Sequence, residues 1–459
     1  MKKEFSLLEI EPLRNLTFWH IWALGVGAVI GDGIFLLLGQ GIATAGPGAV
    51  PAYLVAGLFQ MFLMISLGEL AVGMPHAGAM SVWVERFMGR WWGFLSGFAF
   101  AMGWVFAGGS VSLALGRITT WFFPQLNTDV WTIAFAIIFI TAFAVLNIMG
   151  TSIAAKTQLY LVIGLTVVMA IFAILGFRHI NPANFSPLLP FGSKGFISAI
   201  PLGTYAYLGA VTLATAGGEC KRPVDLPRAM VWSSITFLVL YTAAQLVVTG
   251  VIPWKEITME SSPFTKAAEV IFGYAGAFVV NLAAWIAAAT CILMGTIYAT
   301  SRIFFAQARE GFLPSFLGYL HPKTRTPVWG IVVIWAASLA LIMLGTINPD
   351  LVYVELSMQL VLAWMVSWAL ATIAAILYRT RCREEVARLA WKQPLFPLMP
   401  ILGLGGIAMV TYSTFVGTPK SLLWGIIWMG LLYVMFRAFT GRAHRPATTP
   451  ARETEKGSY

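Results

Sequence analysis

A chain of 459 residues with 59% hydrophobic and only 10% charged residues, and a mean hydropathy of +0.80, lies far from soluble domains, in which about 25% of residues are charged. It contains apolar stretches near the ~20 residues that cross a bilayer as a helix, whereas a β-barrel would show short alternating segments. The net charge of +10 does not point to nucleic acid, because the basic residues fall between the apolar stretches. The composition predicts an all-α polytopic membrane protein.

Residues 1–16 read as a short charged tail, and the apolar segment that follows is too long and too broken by glycine for a cleavable signal peptide. The first apolar segment, Phe18 to Thr44, is broken by the run Gly25 to Phe35. Its first nine residues hold four glycines, and each costs a helix about 1 kcal/mol relative to alanine. Asp32 lies in the same run, where a carboxylate at the bilayer centre costs roughly 3 kcal/mol or more. Freed backbone at membrane depth is tolerated only where it is buried or lines a cavity. The glycines alone fit a helix-packing seam equally well; Asp32 turns the reading to a broken helix around a ligand.

Span two runs from Ala49 to Val72, followed by an amphipathic connector, Gly78 to Arg90. Spans three, four and five are Trp92 to Phe122, Val130 to Met149 and Ala155 to Phe177. Span six, Phe196 to Gly218, is the second irregular one, with Pro201 and then Gly203 and Gly209 around Tyr205 and Tyr207. Span seven is Ala229 to Ile252, and the loop Pro253 to Lys266 has room for a short surface helix. Spans eight to twelve are Ala277 to Ala306, Pro327 to Leu344, Leu351 to Tyr378, Pro397 to Phe415 and Ser421 to Phe439. A polar tail closes the chain from Thr440.

Placing both termini in the cytoplasm and alternating the spans puts most of the 29 basic residues on the cytoplasmic side, as the positive-inside rule requires. An odd span count would put the basic C-terminal tail outside. The three cysteines, Cys220, Cys291 and Cys382, fall at the cytoplasmic face or inside a helix and imply no disulfide. Spans one and six are irregular at matching positions five spans apart. A five-helix repeat must be inverted, and broken helices at matching positions mark a transporter's substrate site. A channel would need a filter or a charged ring, an enzyme a cluster of titratable groups; neither stands out. No Walker-type phosphate loop is present, so ATP does not drive this chain directly.

Four stretches carry a resemblance. Gly25 to Phe35 is similar to the first-helix signature of the amino acid–polyamine–organocation superfamily. Gly68-Glu69-Leu70 with Met74-Pro75 resembles the end of its second helix. Tyr205 to Gly209, Gly218-Glu219 and Arg222-Pro223 resemble its sixth helix and following loop. Ser301-Arg302, Ala308 to Pro314 and Thr326-Pro327 resemble its eighth helix and loop. The resemblance implies an amino acid permease with the leucine-transporter fold: twelve transmembrane helices, 5+5 inverted repeats, and broken helices 1 and 6. The units it implies are a cytoplasmic tail over 1–16, a first repeat over 17–178, a second over 179–378, helices 11 and 12 over 379–439, and a second tail over 440–459. It implies secondary transport across the plasma membrane by alternating access, with no cofactor, no metal, no catalytic residue and no nucleic-acid partner.

Carried onto this sequence, Gly31, Asp32 and Gly33 would hold a substrate carboxylate, as a half-helix N-terminus does. The carbonyls of Ala28 and Val29, with Tyr205, Ala206, Tyr207 and Gly209, would form the ammonium side. Asp32 departs from the small hydroxyl or glycine usual at its position. An ionised carboxylate there repels a substrate carboxylate, and burial favours the protonated form. Asp32 is therefore expected to carry a coupling proton; the alternatives are that it pairs with the ammonium of an amine or polyamine substrate, or caps the second half of helix one. A receptor that senses amino acids without moving them is the reading from a different functional class. Val211 stands where some members are acidic, which argues against a long cationic substrate, and Leu165 stands where sodium-independent members place a lysine. Thr296, Thr300 and Ser301 form a candidate ion site beside helix one, against the commoner role of bonding back to their own helix. Glu69 reads as a solvated helix end, with a gate salt bridge to a basic loop as the alternative, Arg117 as a side chain snorkelling to the surface, and His20 as interfacial. Gly103, Gly108, Gly109 and Ser110 read as close packing beside the site.

Overall fold

The computed structural model describes residues 16–76, 78–149, 154–257, 262–324 and 326–440. The expected tails fall outside them except for Leu16 and Thr440. Among the described residues the chain is helical, and its one β-type contact is an isolated parallel bridge between Leu16 and Cys220.

The first helix, α1 (Phe18–Val29), stops where Ile30 turns to φ −73°, ψ 97°. The chain re-enters a helix as a π-turn over Gly33–Leu37 that leads into α2 (Leu38–Ala45). Next come α3 (Ala49–Gly73), α4 (Met80–Met88), α5 (Arg90–Phe122), α6 (Asp129–Met149) and α7 (Ala154–Gly176). Helix α8 (Gly192–Tyr207) carries Pro201 inside it and tightens into a 3₁₀ run over Leu208–Glu219. Thus the break expected in span six is a change of helical pitch, whereas span one is interrupted outright. Helices α9 (Asp225–Val251) and α10 (Pro263–Thr290) follow. Where a surface loop was expected to reach Lys266, α10 already begins at Pro263, because the Ser262 side chain caps it by accepting from the Thr265 N–H at 3.3 Å. It kinks at Gly273, whose φ is 69°. A π-helical stretch over Cys291–Ala299 joins α10 to α11 (Thr300–Arg309). The remaining helices are α12 (Val328–Leu344), α13 (Pro349–Arg381), the short α14 (Arg383–Ala387), α15 (Leu398–Gly417) and α16 (Pro419–Thr440).

Among the described residues nine helical stretches have the length and hydropathy to cross a membrane, and Val328–Leu344 and Pro419–Val434 are shorter apolar helices. Large apolar side chains face outward on α6, α7 and α16, among them Ile138, Ile174 and Leu431. In water such a surface is unstable; in lipid it is the expected one. The chain is a multi-pass membrane protein.

The centre is the pairing of α5 with α13, which are buried on all sides through most of their length. The Trp364 indole N–H donates to the Phe100 carbonyl at 2.9 Å, and the two rings stack at 4.8 Å. Helices α1, α3, α8 and α9 pack together on one side of this pair.

At the end of α3, Glu69 is not a solvated helix end. Its carboxylate is 1% exposed. It accepts a charge-assisted hydrogen bond from Arg379 of α13 and another from the Gln393 N–H at 2.8 Å. The segment between α14 and α15 lies over the end of α3, and Arg86 pairs with Glu385 of α14 at 3.1 Å. The alternative reading of Glu69, a salt bridge to a basic loop, is therefore the one that holds. Arg117 does not snorkel either. Its Nη2 donates to Asp129 at 3.2 Å and to both oxygens of Asp350 at 2.9 and 3.0 Å, tying α5 to α6 and to the start of α13. His20 lies in the first turn of α1, where its Nδ1 is 2.7 Å from the Thr17 hydroxyl. The three cysteines are free thiols.

Candidate substrate site

Breaking helix one releases backbone carbonyls that must find donors away from water. They find side chains. The Tyr241 hydroxyl donates to the Val29 carbonyl at 2.9 Å, Ser262 to Phe35 at 2.9 Å and Tyr53 to Leu37 at 3.1 Å. The two irregular segments touch directly. A Cβ at Gly209 would collide with the Ala28 carbonyl, and one at Gly33 would come within 2.9 Å of the Ala206 Cα. Only glycine lets the backbones approach so closely at these two points.

Asp32 sits at the centre of the break, 2% exposed. Its carboxylate accepts from the Tyr353 hydroxyl of α13 at 2.8 Å and from the Tyr205 hydroxyl of α8 at 3.0 Å. Tyr205 is in turn 3.4 Å from the Ser110 hydroxyl of α5. The Asp32 side chain makes no capping hydrogen bond to the helical turn that follows it. One carboxylate thus joins the broken helix to α8 and α13.

Beside Asp32 lies a cavity of about 30 Å³, room for about one water. Ala28, Val29, Gly31, Asp32, Gly33, Tyr205, Ala206 and Gly209 line it. The structure therefore brings most of the expected site together. The Val29 carbonyl is already taken by Tyr241, and that of Ala28 is pressed against Gly209. Tyr207 is turned away; its ring packs on Tyr241 at 5.2 Å and Phe237 at 5.6 Å. The candidate ion-site hydroxyls do not converge. Thr300 donates to the Gly295 carbonyl at 3.3 Å and Ser301 to that of Tyr298 at 2.9 Å, both on their own helical stretch. The Thr296 methyl faces Gly108 of α5. Among the described residues no group of three or more His, Cys, Asp or Glu could hold a metal ion.

The far wall was not read from the sequence. Trp104, Ala107 and Val111 come from α5, Leu360 and Trp364 from α13, and Cys291 from the π-helical stretch. Trp104 meets Trp364 edge to face at 5.0 Å. Asp32 is the one ionisable carboxylate on the wall, and no basic side chain lines it.

A buried acid on a broken membrane helix, facing a small cavity, is the layout of a carrier's binding site. The family model described as "Amino acid permease" matches residues 16–436. The chain belongs to the amino acid permease family. Relatives support the assignment over nearly the full length. The chain is 27% identical over 448 residues to amino-acid permease RocE of Bacillus subtilis (strain 168), covering 92% of this chain and 94% of the relative. It is 28% identical over 452 residues to branched-chain amino acid permease BcaP of Lactococcus lactis subsp. cremoris (strain MG1363), covering 93% and 94%. It is 26% identical over 400 residues to the D-serine/D-alanine/glycine transporter of Escherichia coli (strain K12), covering 84% and 85%. A permease is a transporter, not an enzyme.

Proposed function

We propose that this permease is a secondary carrier that moves amino acids across the plasma membrane by alternating access, with Asp32 as the proton-coupling group. In this reading it has twelve spans in a 5+5 inverted arrangement and both termini in the cytoplasm. Glu69 and Arg379 then close the inner side, and Arg117 and Asp350 the outer side. The observation that carries the reading is the Asp32 carboxylate, held by tyrosines from two other helices beside a small cavity. An amino acid brings its own carboxylate to that cavity. Two carboxylates a few Å apart in a low dielectric repel by several kcal/mol (~4 kcal/mol at 4 Å with an effective dielectric of 20). A proton on Asp32 removes the repulsion. Once the cargo has left, Tyr205 and Tyr353 stabilise the ionised form by donating to it. Binding and protonation are thereby linked, as coupled transport requires.

Proteoliposome uptake of an amino acid panel, with and without an imposed pH gradient, tests this. The wild type should accumulate amino acid when the outside is acidic. Asp32→Asn should keep exchange across the membrane and lose gradient-driven accumulation. Accumulation by the Asn variant equal to the wild type would end the coupling role. A second reading, an amine carrier with Asp32 as the ammonium partner, is favoured by the absence of any basic side chain on the cavity wall. Uptake of decarboxylated amines without their parent amino acids would select it.

A further inference from the structure

A second cavity lies beyond Tyr353 from Asp32, toward the end of the molecule that carries Arg117. Leu36, Gln40, Arg117, Asp350, Tyr353 and Val354 are on its wall, and its volume is about 20 Å³. Tyr353 links the two, since it lines this cavity while its hydroxyl donates to Asp32. Two polar atoms on this wall are buried and have no hydrogen-bond partner: the Arg117 Nε and the Gln40 Oε1. One is a donor and the other an acceptor. Leaving both unmade costs free energy that packing alone has no reason to retain.

The Arg117 geometry sharpens the point. Asp129 and Asp350 both take the same terminal nitrogen, Nη2. A carboxylate docks best on two parallel N–H groups of a guanidinium. Nη2, the terminal nitrogen beside Nε, is taken by both aspartates, so a single N–H, that of Nε, is left to donate on this edge. Gln40 lies on α2, on the same broken helix as Asp32, and offers a carbonyl oxygen to an ammonium. The Asp350 side chain, about a third exposed, connects the cavity to the surface.

We infer that Arg117 and Gln40 form a vestibule seat where an amino acid zwitterion waits before Tyr353 admits it to the Asp32 cavity. The substrate carboxylate takes the Arg117 Nε–H, and its ammonium takes Gln40 Oε1 and the near oxygen of Asp350. At about 20 Å³ the space holds one water, so the seat forms as α2 and α13 separate on opening. The inference rests on the amino acid reading above.

Two substitutions test it with little risk to the fold. Gln40→Leu removes the acceptor and touches no ion pair. Arg117→Lys keeps a cation beside Asp350 and deletes the Nε–H. Uptake of radiolabelled L-leucine, L-alanine and L-arginine into proteoliposomes is measured beside that of isoamylamine, ethylamine and agmatine. For whichever amino acid the wild type transports, each variant should raise KM about tenfold, the loss of one hydrogen bond to a charged group, with kcat within about twofold. Thermal-shift half-saturation at the intact Asp32 cavity should stay within about twofold. If neither variant changes KM, the seat does not exist. A fall in kcat at constant KM would make Arg117 a latch and overturn the seat as well. Wild-type uptake of amines alone removes the carboxylate on which the seat depends and overturns it. Wild-type uptake of none of the six sinks the transport reading itself and the seat with it, so the wild-type arm and the variant arm fail separately.

Discussion

Arg379→Met should damage this permease more than Glu69→Gln, although the two residues share one ion pair. The Glu69 side chain is 2% exposed, whereas that of Arg379 is 28% exposed. Removing the arginine leaves a buried carboxylate with only the Gln393 N–H as donor. Breaking a buried pair in this way costs about 3–5 kcal/mol. Glu69→Gln instead removes the charge, keeps an acceptor for Gln393, and leaves Arg379 partly in contact with water; the cost is about 1 kcal/mol, that of a single hydrogen bond. The double variant has no stranded charge and should recover roughly 2 kcal/mol of the loss from Arg379→Met, the size of a direct pairwise coupling. Thermal unfolding of detergent-purified protein reads this out, at about 1–2 °C per kcal/mol for a chain of this length. Equal losses from the two single variants, or strict additivity in the double, would refute the assignment of Glu69 as a buried charge that needs its partner.

Other outcomes follow from the same geometry. Gly209→Ala should cost at least about 3 kcal/mol and abolish uptake, because its Cβ meets the Ala28 carbonyl; Gly405→Ala on α15, with nothing within 4 Å, should be silent in expression and Tm. Burial, reinforced by the neighbouring Glu85 and opposed by Arg90, pushes the Glu310 carboxyl from 4.5 up to about 7. The folded chain then binds the extra proton over that window, so stability is fullest below about pH 4.5 and falls as pH rises through 7. Glu310→Gln should equal the wild type at low pH and exceed its stability by up to about 3 kcal/mol at pH 8, seen as a pH-dependent difference in Tm. Finally, a methanethiosulfonate reagent should block uptake in a Cys220→Ser, Cys382→Ser background, and further replacement of Cys291 by Ser should remove the block, because Cys291 lines the cavity.

Local chemistry explains what was readable in the chain. The interruption of helix one was legible because glycine density and a mid-membrane acid violate two rules within a few residues. Helix ends marked by proline, such as Pro327 before α12, were legible for the same reason. The far wall of the cavity was not. Trp104 and Trp364 lie on helices buried on every side, so no amphipathic stripe reveals which face looks inward. Tyr353 carries no local signal, because its partner lies 321 positions away. The hydroxyls at Thr300 and Ser301 were ambiguous in sequence because bonding back to the helix and coordinating an ion need the same residues, and the backbone took them. At Glu69 the salt bridge was the less favoured of two readings, because its partners arrive from a segment more than 300 residues downstream.

The contact between the two irregular segments has a mechanical meaning. Gly209 rests on the Ala28 carbonyl, and further along the same pair of segments the Lys221 N–H donates to the Leu16 carbonyl at 2.9 Å. Two fastenings at separate points along a pair of rods remove their freedom to slide or pivot independently. Whatever tilts one rod tilts the other. A displacement of either segment is therefore passed to the other through these two contacts.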